Sequence, residues 1–180
     1  QVGRTGAVTP VAKIAAVAVG GVTVTSISVH NEDYIKEKDL RIGDTILIER
    51  SGDVIPQIVK SLPELRNGEE TFIHFPKNCP VCKDHLFKPD GEAVWRCVNI
   101  NCKAQVVERI IHYVSKDAMD IRSFGEANVR KFYEKGFLKD VPGIYKLDWD
   151  ALKKMEGFGT RSIENLQAAI EASKAQPLHR

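Results

Sequence analysis

Apolar and polar positions along this chain keep two different rhythms. Over the first 76 residues, β-branched runs are short and are broken by turn residues. The run at residues 17–19 stops at Gly20-Gly21, a hairpin signal. Val22-Thr23-Val24-Thr25-Ser26-Ile27-Ser28-Val29 alternates with period two, which predicts a strand with one buried face. A turn at Ile42-Gly43-Asp44 opens Thr45-Ile46-Leu47-Ile48-Glu49-Arg50. Another at Ser51-Gly52-Asp53 precedes Val54-Ile55-Pro56-Gln57-Ile58-Val59. Residues 32–40 read as a short helix or an irregular connection. From residue 103 the spacing becomes helical. Val106, Val107, Ile110, Ile111 and Val114 lie on one face of a helix over residues 103–116. A second helix runs through Val129, Phe132 and Tyr133 to a C-cap at Gly136. A third starts at the N-cap Asp148 and passes Ala151, Leu152 and Met155. Glu156-Gly157-Phe158-Gly159-Thr160 breaks it, and a last helix covers residues 161–173.

Short strands with one interposed helix suggest a small Greek-key barrel such as an OB-fold, and other small β-barrels fit the pattern as well. In the second half, a helix, a Gly-apolar-Gly turn and another helix make a helix-hairpin-helix unit. Its glycines let backbone approach a phosphate closely. The amides at the start of the following helix then meet the anion. Gly157 and Gly159 carry this pattern, Phe158 anchors the turn, and Thr160 and Arg161 stand where they add side-chain bonds. The earlier unit ends in Gly125 but has Ser123 where a glycine is expected, which weakens the same role for Gly125. The plain alternative is that each glycine pair merely joins two helices.

All four cysteines lie between the two rhythms. Cys79 and Cys82 are separated by two residues and Cys97 and Cys102 by four, with fourteen residues between the pairs. Two knuckles at the ends of a short polar loop suit one tetrahedral metal ion, and four thiolates leave no open coordination position. Zn2+ in a structural role is the expectation, since the polar segment lacks the burial to fold unaided. Two disulfides or a redox pair are the competing readings. No signal-peptide pattern favours the first, and the second leaves Cys97 and Cys102 unexplained. Within the loop, Lys88-Pro89-Asp90-Gly91 matches the Lys-x-Asp-Gly motif of adenylating lysines. Pro-Asp-Gly is a turn in its own right, and so short a module offers no nucleotide pocket. No catalytic residue is assigned.

Composition adds little. A net charge of +2 and a sequence pI near 8.3 do not announce a nucleic-acid binder, so any such role rests on local placement of basic groups. No run of eighteen apolar residues predicts a membrane span. The chain opens at Gln1 without methionine, which suggests a piece of a longer protein.

Several strings are long and unusual. Gln1-Val2-Gly3-Arg4-Thr5-Gly6-Ala7-Val8-Thr9-Pro10-Val11-Ala12 is the first. Val29-His30-Asn31, Asp39-Leu40-Arg41-Ile42-Gly43-Asp44 and Arg50-Ser51-Gly52-Asp53-Val54-Ile55-Pro56 follow. Together they resemble the OB domain of bacterial NAD-dependent DNA ligases. The cysteine module and the helical segment come next in that family's order. The resemblance implies a multi-domain chain: an OB-fold β-barrel at 1–76 with a truncated N-terminal edge, a four-cysteine zinc finger at 77–103, and an incomplete all-α helix-hairpin-helix domain at 104–180. It matches Arg4, Thr5, Arg50, Val54 and Ile55 to DNA-contacting positions. It implies nicked duplex DNA as partner, a bacterial cytoplasmic parent enzyme and a monomer. The adenylation domain would lie upstream, and further helix-hairpin-helix and BRCT domains downstream. NAD+ and Mg2+ would belong to the missing catalytic part, leaving this segment inactive alone. A standalone zinc-containing nucleic-acid-binding module and a zinc-stapled protein-interaction scaffold are the alternatives.

Overall fold

A computed structural model describes residues 1–51 and 55–177 and divides into two compact units, Gln1–Asn99 and one beginning at Ile100. In the first, Gly20 and Gly21 take φ of +56° and +79° and join β1 (Val11–Val19) to β2 (Val22–Ser28) as an antiparallel pair. Left-handed backbone of this kind costs a glycine nothing sterically. The pair is not regular. Between Lys13 and Val17 β1 takes four steps while β2 takes two, from Ser26 to Val24. Such a bulge bends the strand and increases its twist. The buried positions here are Val24, Ile27 and Val29, so the predicted alternation slips by one residue between Val24 and Ile27, beside the bulge.

The short helix α1 (Glu32–Glu37) starts at Asn31, whose Oδ1 accepts the Tyr34 amide at 2.8 Å. Glu32 and Asp33 in its first turn complement the helix dipole. β3 (Arg41–Ile42) and β6 (Thr71–Phe72) form one antiparallel ladder; β4 (Ile46–Ser51) and β5 (Ile55–Ser61) form another. Tyr34 Oη donates to the Ile58 carbonyl, Lys38 Nζ to the Val59 carbonyl, and Ser61 Oγ to the Lys38 carbonyl, pinning α1 on β5. Among the described residues every ladder is two-stranded. The pairs are held together by a shared core of Val24, Ile27, Val29, Ile35, Leu40 and Ile58 rather than by a continuous hydrogen-bonded barrel. Arg66 closes the far side. Its Nε and Nη2 bond both carboxylate oxygens of Asp44, and Nη1 reaches Asp39 at 2.6 Å.

Still within this unit, β7 (Leu86–Phe87) and β8 (Arg96–Cys97) make a two-residue ribbon. In the second unit, α2 (Lys103–Val114), α3 (Glu126–Glu134), α4 (Trp149–Lys153) and α5 (Thr160–Ser173) surround one core. Ile110, Phe124, Val129, Phe132, Leu152, Ile163 and Leu166 are almost wholly buried in it. Gly136 has φ +80° just past α3, and Asp148 Oδ1 accepts the Asp150 and Ala151 amides at the start of α4. Both follow the sequence reading. No helix among the described residues is long and apolar enough to cross a membrane.

Candidate metal centre and nucleic-acid interface

The first knuckle is a tight backbone turn. Lys83 N–H donates to the Cys79 carbonyl at 3.0 Å, and Cys79 N–H to the Asp84 carbonyl at 2.7 Å. Lys83 takes φ +68°, a left-handed position that the spacing alone did not reveal. Cys97 sits on β8, and Cys102 caps α2. Asn99 and Asp84 bond side chain to side chain, tying the second knuckle to the first. The four Sγ atoms all lie within 4.8 Å of one another, with Cys82 and Cys97 at 3.5 Å, and none of the four is in a disulfide. Sulfurs bound at about 2.3 Å around one tetrahedral ion stand ~3.8 Å apart, so this constellation fits Zn2+.

The thiols are electrostatically unequal. At Cys79, burial works against ionisation but is outweighed by amide hydrogens of Cys82 and Val81 aimed at the sulfur, and its pKa falls to about 7. Cys97 is pushed up to about 12, by burial first and then by the neighbouring Cys79 and Cys82 sulfurs. Cys79 is therefore the more readily ionised of the two, and a bound cation would draw the thiols into the charged state.

The Lys88 motif is a turn, as expected. Glu92 N–H donates to the Pro89 carbonyl, Gly91 has φ +81°, and Lys88 Nζ faces Asp33 at 3.5 Å.

Of the residues matched to DNA contacts, Arg4 and Thr5 are both exposed, on a turn closed by Gly3 N–H to the Ala7 carbonyl and Gly6 N–H to the Gly3 carbonyl. Ile55 is 66% exposed at the start of β5, an unusual place for an isoleucine. Val54 lies outside the described residues. Arg50 Nη1 donates to the Gly20 carbonyl at 2.7 Å, so this arginine braces the β1–β2 turn. A methyl group at Gly20 would meet Nη1 at 2.7 Å. Thirty residues separate the two partners, and no local pattern foretells the contact.

The helical unit contains a repeat at an offset of 34 residues. Ser123-Phe124-Gly125 and Gly157-Phe158-Gly159 adopt the same course. Ser123 has φ +63° and Gly157 φ +87°; Phe124 and Phe158 are buried; Gly125 and Gly159 cap α3 and α5 in extended conformation. The serine thus occupies the left-handed position that the pattern reserves for glycine. Asn128 Nδ2 donates to the Ser123 carbonyl at 2.9 Å and fixes that turn. Neither α3 nor α5 has a side-chain cap; the Asn128 and Ser162 amides turn back to the Gly125 and Gly159 carbonyls, leaving the first two amides of each helix uncapped by a side chain. The two differ in charge. Glu126 stands in the first turn of α3, paired to Arg130 at 2.8 Å. The first turn of α5 has no acid and presents the exposed Thr160 and Arg161. One cleft of about 300 Å³ is lined from both turns, by Ser123, Asn128, Lys131, Gly157, Phe158 and Ser162 among others. Lys131 was not foreseen. From α3 its Nζ donates to the Glu156 carbonyl at 2.7 Å and lies over the Phe158 ring, so a cation of the first repeat serves the second turn.

Comparison with known proteins identifies two parts of the chain. Residues 1–70 match the family model for the NAD-dependent DNA ligase OB-fold domain, and residues 78–104 that for the NAD-dependent DNA ligase C4 zinc finger domain. The chain is 64% identical over all 180 residues to a protein named DNA ligase from Persephonella marina, covering 25% of that protein. It is 61% identical to a DNA ligase of Sulfurihydrogenibium azorense and 52% identical to one of Aquifex aeolicus, covering 26% and 25% of them. The chain thus spans about a quarter of the length of the relatives it matches. It belongs with the NAD-dependent DNA ligases, whose OB-fold and C4 zinc finger domains it carries.

Proposed function

We propose that this segment grips duplex DNA for a ligase that seals nicks. The observation that carries the reading is the pair of matching turns on one cleft, following an OB-fold and zinc finger of ligase type. Uncapped amides at two helix N-termini favour an anion, and they read backbone rather than base edges. The Gly157–Gly159 turn is the stronger grip, since Thr160, Arg161 and Lys131 add donors there and the first turn of α5 has no acid. The Gly125 turn is weaker because Glu126 shares it. Residues 104–180 would then be part of a helix-hairpin-helix domain, residues 77–103 the zinc finger and residues 1–76 the OB domain.

On the OB side, Arg4 offers a planar fork to phosphate oxygens, with Thr5 beside it. Ile55, exposed at the start of β5, would pack on sugars in the minor groove. Val54 is included by family resemblance. Zn2+ is held by Cys79, Cys82, Cys97 and Cys102 and supplies folding energy to the module rather than chemistry. The adenylation step, with its NAD+ and Mg2+, belongs to other parts of a bacterial cytoplasmic enzyme acting in replication and repair. What these residues contribute is orientation: a duplex held rigidly keeps hydroxyl and phosphate in line.

The test is a titration of the zinc-loaded chain against nicked duplex, intact duplex and single-stranded DNA at low and moderate salt. Binding to duplex should fall steeply with salt. Arg161→Ala and Arg4→Ala should each weaken it without sequence preference and flatten the salt slope by about one. A preference for single strands would favour a standalone OB-type binder, and salt-independent or absent binding would favour a scaffold.

A further inference from the structure

The turn that carries Arg4 and Thr5 is joined to the metal centre. Cys97 N–H donates to the Gly6 carbonyl at 2.8 Å, and Val8 N–H donates to the Trp95 carbonyl at 2.9 Å. These two bonds make an antiparallel bridge centred on Ala7 and Arg96. The end of the turn therefore meets β8 through one isolated bridge, beside the two-stranded β7–β8 ribbon. Gly6, buried and at φ +81°, aims its carbonyl at the amide of a metal ligand. At its base the turn is stitched by a Val2–Val8 bridge and by Gln1 and Thr9. Its tip has only the two bonds within residues 3–7.

The ribbon that holds this tip is itself two residues long on each strand. A pair so short does not persist in water without help. Ligation of Cys97 is what fixes the position of the Cys97 amide and, two residues earlier, of the Trp95 carbonyl. We infer that the metal centre is the positioning device for the Arg4–Thr5 turn: with Zn2+ bound, Cys97 and Trp95 hold the turn in one place, and without it the turn is released. The four-cysteine module then acts on the DNA grip of the OB side from within, through two backbone hydrogen bonds. This rests on the reading of Arg4 and Thr5 as phosphate contacts for its functional consequence, but not for the coupling itself.

A second anchor competes with this account. Trp95 Nε1 donates to Glu32 Oε2 at 2.9 Å, and its ring stacks on Phe75 with centroids 6.0 Å apart. If those contacts alone set the Trp95 carbonyl, removing the metal would leave Val8 protected.

Two measurements on the full chain decide it. Amide hydrogen exchange is followed with zinc bound and after chelation. The Val8, Gly6 and Gly3 amides should exchange at least about tenfold faster without zinc, while β4–β5 amides such as Ile48 and Ile58 keep their protection. Unchanged Val8 and Gly6 exchange overturns the inference. So does equal loss across β4–β5, since the metal would then hold the whole unit and not the turn. Duplex affinity is measured in the same two states for the wild type and for Arg4→Ala. Chelation should weaken the wild type several-fold and Arg4→Ala far less, because the contact it disorders is already gone. An equal fold-loss in both overturns the coupling to Arg4. Wild type and Arg4→Ala binding equally well with zinc present would instead remove Arg4 from the DNA interface, while the exchange result still decides whether zinc holds the turn.

Discussion

At the level of single residues, one carboxylate stands out. Asp44 is nearly buried, and the Arg66 side chain bonded to it holds its carboxyl below the usual carboxylate range, with burial opposing and the Arg41 amide assisting. A carboxyl whose pKa is lower folded than unfolded stabilises the fold at every pH above its unfolded value, near 4. That stabilisation is lost as pH falls through the lower, folded value. Asp44→Asn should therefore melt below the wild type at pH 7, and the gap should close in acid below about pH 4. A gap of constant size down to about pH 2.5, well under the ordinary carboxylate range, would show that Asp44 acts by shape and not by charge. Arg50 needs a different reading. Because it holds the Gly20 carbonyl, Arg50→Ala removes a brace as well as a basic group, and loss of DNA binding in that variant has to be read beside its melting curve. Arg4, exposed on its turn, is the cleaner probe.

At the level of elements, the two matching turns offer an internal comparison. An L-residue in the left-handed region costs roughly 1–2 kcal/mol, which glycine avoids at some expense in unfolded-chain entropy. Ser123→Gly should thus stabilise the chain by up to about 1 kcal/mol, and Gly157→Ala should destabilise it by a similar amount. Urea denaturation with unchanged slope would measure both; a destabilised Ser123→Gly would mean that the serine side chain does more than tolerate its backbone. The same elements mark what the sequence could and could not convey. The Gly20-Gly21 hairpin, the Asp148 cap, the turn at Pro89-Asp90-Gly91 and the four-cysteine cluster were legible because each depends on residues close in the chain. The β1 bulge was not, because it answers to how β2 packs on the core. The left-handed Ser123 was read as a departure from the pattern, whereas the backbone keeps the pattern and the serine bears the strain. Lys131 reaching Glu156, Arg50 reaching Gly20 and Cys97 reaching Gly6 all join residues at least 25 apart, where periodicity is silent.

At the level of the whole molecule, the helical unit has its own core, from Val107 to Ile170, and the first unit has another, from Val24 to Ile58. Cys97→Ser should abolish stoichiometric zinc binding and unfold the module around it. The helical circular dichroism signal should largely remain, since that core contains none of the four metal ligands. Loss of most of that signal would make the metal a global fold determinant. The clustering of the thiols carries one more consequence. Every cysteine of the chain is committed to the metal, so none is spare for oxidation while Zn2+ is present. Once the ion is lost, four thiols are left within 24 residues of one another, open to oxidation. A thiolate beside other thiols is the partner that oxidants capture first. Metal loss in air is thus a step toward a covalent trap, and reactivation would require a reductant before zinc.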